Sequence, residues 1–430
     1  MVDGKLLIEK LLKYAKAFLY LESRDEIYFR NLLLREFKLD APSNLTVDLS
    51  YVEKLDVPDE LVEEIEQYAL ENGIVEKGYE TLYSTYIFGI LSPLPSVVNK
   101  TFTEIKNTQG IKKACEYFYN LSVKNNYVQK TAISKNLKWE YIDNDKCLEI
   151  TINLSKPEKD NKEIAKLLSV PKTSKYPACL LCKENEGFCG TLTHPARENI
   201  RTISLSLGGE DWFVQYSPYA YYNEHMIAIS NNHMPMHIEK DTIDKIIDFV
   251  DFFPHYMIGS NAALPIIGGS ILNHEHFQGG GHVMPMHRAP IKKKFMVKDF
   301  PQVSVGIVDW YNSVIRLESS DKDAIKKVAT RIIDKWANHT DEQCDIFSST
   351  NGVRHNSLSP VARKTEKGYI IDIILRNNRT SKEYPEGIFH AHPEYHNIKK
   401  EGIGLIEAMG LFILPARLKR QLEEIAKIRL

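Results

Sequence analysis

A chain of 430 residues, 43% hydrophobic and 26% charged, has ample material for a globular core and exceeds one typical domain. Its formal net charge of −2 provides no basic field for a nucleic acid or an anionic membrane. No apolar run approaches the roughly 20 residues that span a bilayer, and no signal-peptide pattern opens the chain, so a cytoplasmic protein without membrane or nucleic-acid partners is expected.

Residues 1 to about 110 read as helical. Within 59–72, Leu61, Val62, Ile65, Tyr68 and Ala69 share one face, and Gly73 is a natural stop. No phosphate-cradling glycine loop occurs in this part, which reads as a solvated packing layer or a subunit contact. From about Tyr117 the texture becomes strand-like, first in 121–133 and then in 139–155, with a tight turn at Asp143-Asn144. Lys130 then lies near the end of a strand, where it could face a phosphate or only water. A charged connection with a short helix is expected over 157–174.

Cys179 and Cys182 form a CxxC. Six cysteines in the whole chain are too few for a disulfide scaffold. The spacing suits zinc, and a redox pair would share it, but no thioredoxin-like context surrounds it. Two more ligands would have to come from elsewhere, with Cys189 a nearby spare. Residues 202–217 and 226–230 read as consecutive strands separated by an aromatic loop carrying Tyr216, Ser217 and Asn223. Such a loop could sandwich a base, although tyrosines are ordinary in half-buried loops. An amphipathic helix over 241–253 follows.

All 14 histidines lie between His194 and His396, and four fall within 265–287, PIIGGSILNHEHFQGGGHVMPMH. Gly268-Gly269-Ser270 reads as a turn allowing close backbone approach to a ligand. The alternation of 274–278 suggests a strand that places His274, His276 and Gln278 on one face. A polar face of hydrogen-bonding histidines would look the same. Beyond it, helical material is expected near 308–317 and 323–338, strands near 352–362 and 369–376, and a terminal helix over 405–428 broken near Pro415. The HxH at His390 and His392 echoes His274 and His276 and suggests an internal duplication.

Together, the HxHxQ at His274, His276 and Gln278, the upstream CxxC, the QYSPYAYYNEH loop and the RNNRTSKEYPEGIFHAH segment resemble the galactose-1-phosphate uridylyltransferases, in their second, longer class. The resemblance runs from roughly Tyr83 to the C-terminus. It implies an α+β fold of two histidine-triad-like halves, with antiparallel sheet flanked by helices, over 116–290 and 291–430, after a helical extension over 1–115. It implies UDP-glucose or UDP-galactose and hexose 1-phosphates as substrates, with His276 as the nucleophile that carries the uridylyl group. Gln278 would donate to a phosphoryl oxygen, with Gly268, Gly269, Ser270, Asn273, Tyr216, Ser217, Asn223 and Lys130 as binding residues.

The same resemblance makes Cys179, Cys182, His233 and His274 the ligands of a structural zinc. His355, His390 and His392 match a second site for iron or zinc, where His287 occupies the approximate region of the family's glutamate. The family's first class has arginines where Lys130 and Lys135 stand here, so phosphate contacts there are less defined. We also expect a homodimer. His194, His225, His237, His255, His282, His339 and His396 are assigned no chemistry. The competing readings are a related nucleotidyl transferase or phosphorylase and a zinc-stabilised protein that binds nucleotide without turnover.

Overall fold

The computed structural model describes residues 2–45, 47–154, 176–269, 271–399 and 402–428. The connection over 157–174 and Ser270 therefore lie outside the described residues. Two units are distinguished, each made of more than one stretch of chain.

The first comprises Met1–Ser134, Pro157–Ser204 and Gln215–Tyr219. It is built on α1 (Gly4–Phe18), α2 (Glu26–Glu36), α3 (Asp59–Glu71), α4 (Glu80–Leu91), α5 (Pro95–Gln109), α6 (Ile111–Lys124) and α7 (Lys130–Ser134). Asp3 caps α1 by accepting from the backbone N–H groups of Lys5 and Leu6. On α3 the buried residues are Leu61, Ile65, Tyr68 and Ala69, the expected face except for Val62. Gly73 ends that run at φ +60°. No single described helix is long and apolar enough to cross a membrane.

The segment 121–133, expected as strand, is instead the last turn of α6, a reversal and α7. Leu121, Ser122 and Val123 continue the buried stripe of Tyr117 and Phe118, so helix packing overrides their β propensity. The reversal is held by the buried Asn125 amide, which donates to Asn199 O at 2.6 Å. Lys130 accordingly opens a short helix rather than closing a strand.

The second unit comprises Lys135–Lys156, Leu205–Val214 and Ala220–Leu430. Its first strands, β1 (Leu137–Asp143) and β2 (Lys146–Asn153), form a hairpin. Asn144 and Asp145 adopt positive φ at the turn, as a primed two-residue turn requires. Then follow β3 (Ile203–Leu207), β4 (Glu210–Tyr216), β5 (Met226–Ser230), α8 (Lys240–Phe252), β6 (Met257–Gly259), β7 (His276–Gly280) and α9 (Pro285–Arg288). The later elements are β8 (Ile291–Phe295), β9 (Ser304–Val308), β10 (Val314–Ser319), α10 (Lys322–Ala337), β11 (Ser349–Thr350), β12 (Val353–Arg354), β13 (Asn356–Thr365) and β14 (Gly368–Asn377). The chain ends with α11 (Leu405–Ala408), β15 (Leu411–Pro415) and α12 (Arg417–Ile428).

Ten strands make one sheet in the order β3-β4-β5-β7-β6-β13-β14-β10-β9-β8. Outward from the antiparallel β6–β13 pair, one arm runs β6, β7, β5, β4, β3 and the other β13, β14, β10, β9, β8. Helix α8 precedes β6 and α10 precedes β13, so the two arms repeat one topology. The fold is α+β with a large antiparallel sheet. The HxH echo does not mark this repeat: His390 and His392 follow β14 in irregular chain, while β7 carries His276 and Gln278.

Two further expectations change. Residues 308–317 form the β9–β10 turn and strands, not a helix, because each strand pairs along the sheet. The terminal helix is divided by β15, whose apolar Leu411–Pro415 run pairs in parallel with β2. A short apolar run is compatible with a buried helix or a strand, and the available edge of β2 decides it.

Candidate active site and metal centre

Strand β7 places its side chains alternately on the two faces of the sheet. One face packs against α8: Phe277 stacks on Trp212 with centroids 4.8 Å apart. A Cβ on Gly279 would lie 3.3 Å from the Phe249 ring of that helix. His276 and Gln278 therefore share the opposite face. The strand is central, paired with β5 through Ile229↔His276 and Ile227↔Gln278, and with β6 through Gly259↔Gln278. His274 lies in a bend, and the strand begins at His276, two residues later than expected.

The His276 ring is 7% exposed. Its Nδ1 lies 2.8 Å from the backbone oxygen of His274. A carbonyl oxygen can only accept, so Nδ1 carries the proton and Nε2 keeps its lone pair. Burial pushes the imidazole pKa below its ordinary value, which favours the neutral, nucleophilic ring. Gln278 is half-buried, and its Oε1 has no hydrogen bond of good geometry.

The ligand-type side chains come as two pairs. In the first unit, Cys179 and Cys182 bring their sulfurs to 3.5 Å. That separation is far longer than a disulfide and close to the edge of a tetrahedron whose metal–sulfur bonds are about 2.3 Å. Asn185 fixes the knuckle by donating to the carbonyl oxygens of both cysteines, at 2.9 and 2.8 Å. In the second unit, the rings of His233 and His274 have centroids 4.8 Å apart. His274 Nε2 lies 2.9 Å from Ser230 O, which leaves Nδ1 as its metal-facing nitrogen and supplies an orienting bond. Each pair offers donors of a type compatible with zinc, two thiols from Cys179 and Cys182 and two imidazoles from His233 and His274.

His355, His390 and His392 are not brought together into a ligand group among the described residues. Their rings are engaged separately. His355 Nδ1 meets Asn378 Oδ1 at 3.1 Å, and His390 Nε2 accepts from the Ile403 N–H at 3.1 Å. His392 stacks on Tyr384 with centroids 3.9 Å apart and bonds Ile388 O. His287 is buried elsewhere, beside the ion cluster of Arg316, Arg363 and Asp372.

The binding residues expected from the sequence are dispersed in role. Gly268 is buried against its own loop: a Cβ there would meet Ala262 O at 2.3 Å and Leu264 O at 2.5 Å. Its lack of a side chain is therefore needed for loop packing. Gly269 adopts φ +77° beside Asn261. The Asn273 amide lies 3.4 Å from His233 Nε2, on the metal side. Asn223 is exposed.

In the first unit, Tyr216 is a core residue, with its ring between Phe118 and Tyr119 and its hydroxyl donating to Cys115 O. Neighbouring Ser217 is buried. Lys130 pairs with Asp56 at 2.9 Å.

Sequence reasoning passed over a buried ion pair behind β7. Lys245 of α8, 1% exposed, reaches both carboxylate oxygens of the fully buried Glu275 at 3.1 and 3.2 Å. It also meets Asp241 at 2.8 Å and Glu210 at 3.1 Å. Glu275 lies between the two histidines of the motif. A signal was present: Lys245 falls on the stripe of Thr242, Ile246 and Phe249, the buried face of the helix. His237, left without a role by the sequence, joins the same cluster through Asp241 at 2.7 Å. Lys245 ties the three carboxylates together with a single positive charge, so the cluster as a whole stays acidic.

Comparison with known proteins bears on the same residues. Residues 22–235 match the model for the galactose-1-phosphate uridyl transferase N-terminal domain, and residues 248–430 the model for its C-terminal domain. A galactose-1-phosphate uridylyltransferase from Caldanaerobacter subterraneus subsp. tengcongensis is 48% identical over 99% of this chain and 83% of its own length. One from Fusobacterium nucleatum subsp. nucleatum is 45% identical over 98% and 82%. Among solved structures, yeast Ap4A phosphorylase Apa2 in complex with Ap4A is 11% identical, with a TM-score of 0.39 over 73% of this chain and 92% of its own.

Proposed function

The chain belongs to the galactose-1-phosphate uridylyltransferase family, and on that premise we propose that it moves a uridylyl group from UDP-glucose to galactose 1-phosphate through a covalent bond to His276. The observation that carries this reading is the His276 ring itself, with Nδ1 committed to the His274 carbonyl and Nε2 left with its lone pair. Nε2 attacks the α-phosphorus of UDP-glucose. The bond from that phosphorus to the bridging oxygen breaks, and glucose 1-phosphate leaves with the electron pair. A phosphate oxygen of galactose 1-phosphate then attacks the same phosphorus, the N–P bond breaks, and UDP-galactose is released with Nε2 restored.

Gln278, two residues along the same face, donates its amide N–H to a non-bridging phosphoryl oxygen, where negative charge is greatest in the transition state. The sheet supports both side chains from either side, so little rearrangement is needed when the phosphorus arrives. Cys179, Cys182, His233 and His274 hold one zinc, which supplies a fixed anchor for the chain entering β7. The donor set and the orienting bond from His274 to Ser230 support that assignment. The His274 carbonyl that orients the nucleophile belongs to one of these four residues, so metal and nucleophile are linked through one residue.

Intact mass measured after rapid quench with UDP-glucose alone is the test. The protein gains one uridylyl group and loses it on addition of galactose 1-phosphate. His276→Gly gains none, and an unmodified wild-type protein in this experiment would overturn the covalent route.

A further inference from the structure

Gln278 can help the phosphoryl group only if its amide presents N–H rather than oxygen. Its two ends are nearly equal in shape, and something must choose between them. In the β5–β7 register, Ile227 stands opposite Gln278 and Met226 opposite Gly279. One step further back, His225 comes opposite Gly280, on the face that Gln278 and His276 share and diagonal to Gln278. Gly280 lets the chain approach closely at that point: it adopts φ +141°, and a Cβ on it would lie 2.5 Å from Glu224 O and 3.0 Å from the Tyr222 ring.

The His225 ring is held from the other side. Tyr222 lies with its centroid 4.5 Å away and Tyr221 at 5.4 Å. Tyr222 is itself pinned to β7 by its hydroxyl, which donates to Gly279 O at 3.0 Å. His225 is 3% exposed, and both its ring nitrogens are buried without a hydrogen bond of good geometry, as is Gln278 Oε1. The two side chains nevertheless lie near enough to interact. A buried donor and a buried acceptor left side by side are costly unless they engage.

We propose that His225 is a positioning residue that donates a ring N–H to Gln278 Oε1 and so turns the Gln278 amide N–H toward the phosphoryl group. This rests on the uridylyl-transfer reading of His276 and Gln278. Burial holds the His225 pKa down at about 4, so the ring is neutral at working pH. A neutral ring has one N–H, and with no competing partner the tautomer that faces Oε1 with its proton is free to form. The ring touches no substrate in this arrangement and acts only through Gln278.

Single-turnover formation of the uridylyl adduct, read by quenched intact mass, tests the inference together with steady-state kinetics and thermal melting. His225→Leu slows adduct formation and lowers kcat about five- to tenfold, the effect of one hydrogen bond used in the transition state, with KM for UDP-glucose unchanged. His225→Gln, which keeps an N–H donor, restores most of the rate. In a Gln278→Ala background, His225→Leu adds no further loss, because the group through which it acts is gone. Wild-type rates in His225→Leu, or losses that multiply in the double variant, overturn the proposal. So does a His225→Gln variant that melts like wild type and is as slow as His225→Leu. Wild-type protein that forms no adduct overturns the uridylyl-transfer reading first, and that outcome is separate from the others.

Discussion

A carbonyl oxygen decides which nitrogen of His276 is free, and that carbonyl belongs to His274, two residues earlier. The HxH spacing thus does more than put two rings on one face: the first histidine also orients the second through its backbone. The three motif side chains were legible in the sequence as a set, but the tautomer was not, because a hydrogen bond to a main-chain atom leaves no trace in residue identity. His287 shows another side of burial. Its Nε2 is buried without a partner, and burial, reinforced by Arg363 and Arg316, holds its pKa at about 3 against an ordinary 6.5. The unfolded chain takes up this proton below 6.5 while the folded chain refuses it until about 3, so stability falls as pH falls through that window. The slope from this one residue is about 1.4 kcal/mol per pH unit. Urea unfolding at stepped pH checks it: His287→Gln flattens the wild-type slope between those values by one proton.

At the scale of elements, α8 holds β7 in place with a buried ion pair. Amphipathicity over 241–253 was readable as a helix because its apolar residues recur at helical spacing. That Lys245 sits inside the stripe was also readable, but its partner, thirty residues away, was not. Lys245→Met leaves the Glu275 carboxylate buried and uncompensated and costs about 3–5 kcal/mol in urea unfolding. Lys245→Met combined with Glu275→Leu recovers most of that loss, since apolar replacement of a whole buried pair is often near neutral. Equal losses in the single and double variants would show that the pair does not set the cost. The misread elements share one cause. Segments 121–133 and 411–415 are short and rich in residues that suit either state, and each took the state its neighbours could bury.

For the whole molecule, the repeated topology of the sheet is the organising fact. Each arm has the same succession of strands and helix, yet the HxHxQ motif occurs at β7 and has no counterpart on β14. The expected second metal set, His355, His390 and His392, is not assembled into a ligand group among the described residues, and each ring has a separate backbone, amide or aromatic partner. Metal content separates the two sets. Cys182→Ser and His274→Asn lose zinc and melt at lower temperature, as binding energy drawn from a folded site requires. His390→Ala leaves zinc content as in the wild type. Zinc retained in full by Cys182→Ser would refute the four-ligand assignment.

The residues proposed to carry the chemistry were named by the sequence alone, because a candidate nucleophile, amide donor and thiol ligands are matters of residue type at short spacing. His276, Gln278 and the CxxC could be named without coordinates. Tertiary structure decided how they are served: the carbonyl that sets the His276 tautomer, the Lys245–Glu275 pair behind the strand, and the buried His225 beside Gln278. The last two depend on contacts between residues far apart in the chain, and the first on a main-chain atom that residue identity does not reveal. The assignment of Tyr216 to the core and of Gly268 to its own loop was decided in the same way. A tyrosine or a glycine can serve a ligand or the fold with equal ease, and only the atoms packed around it distinguish the two.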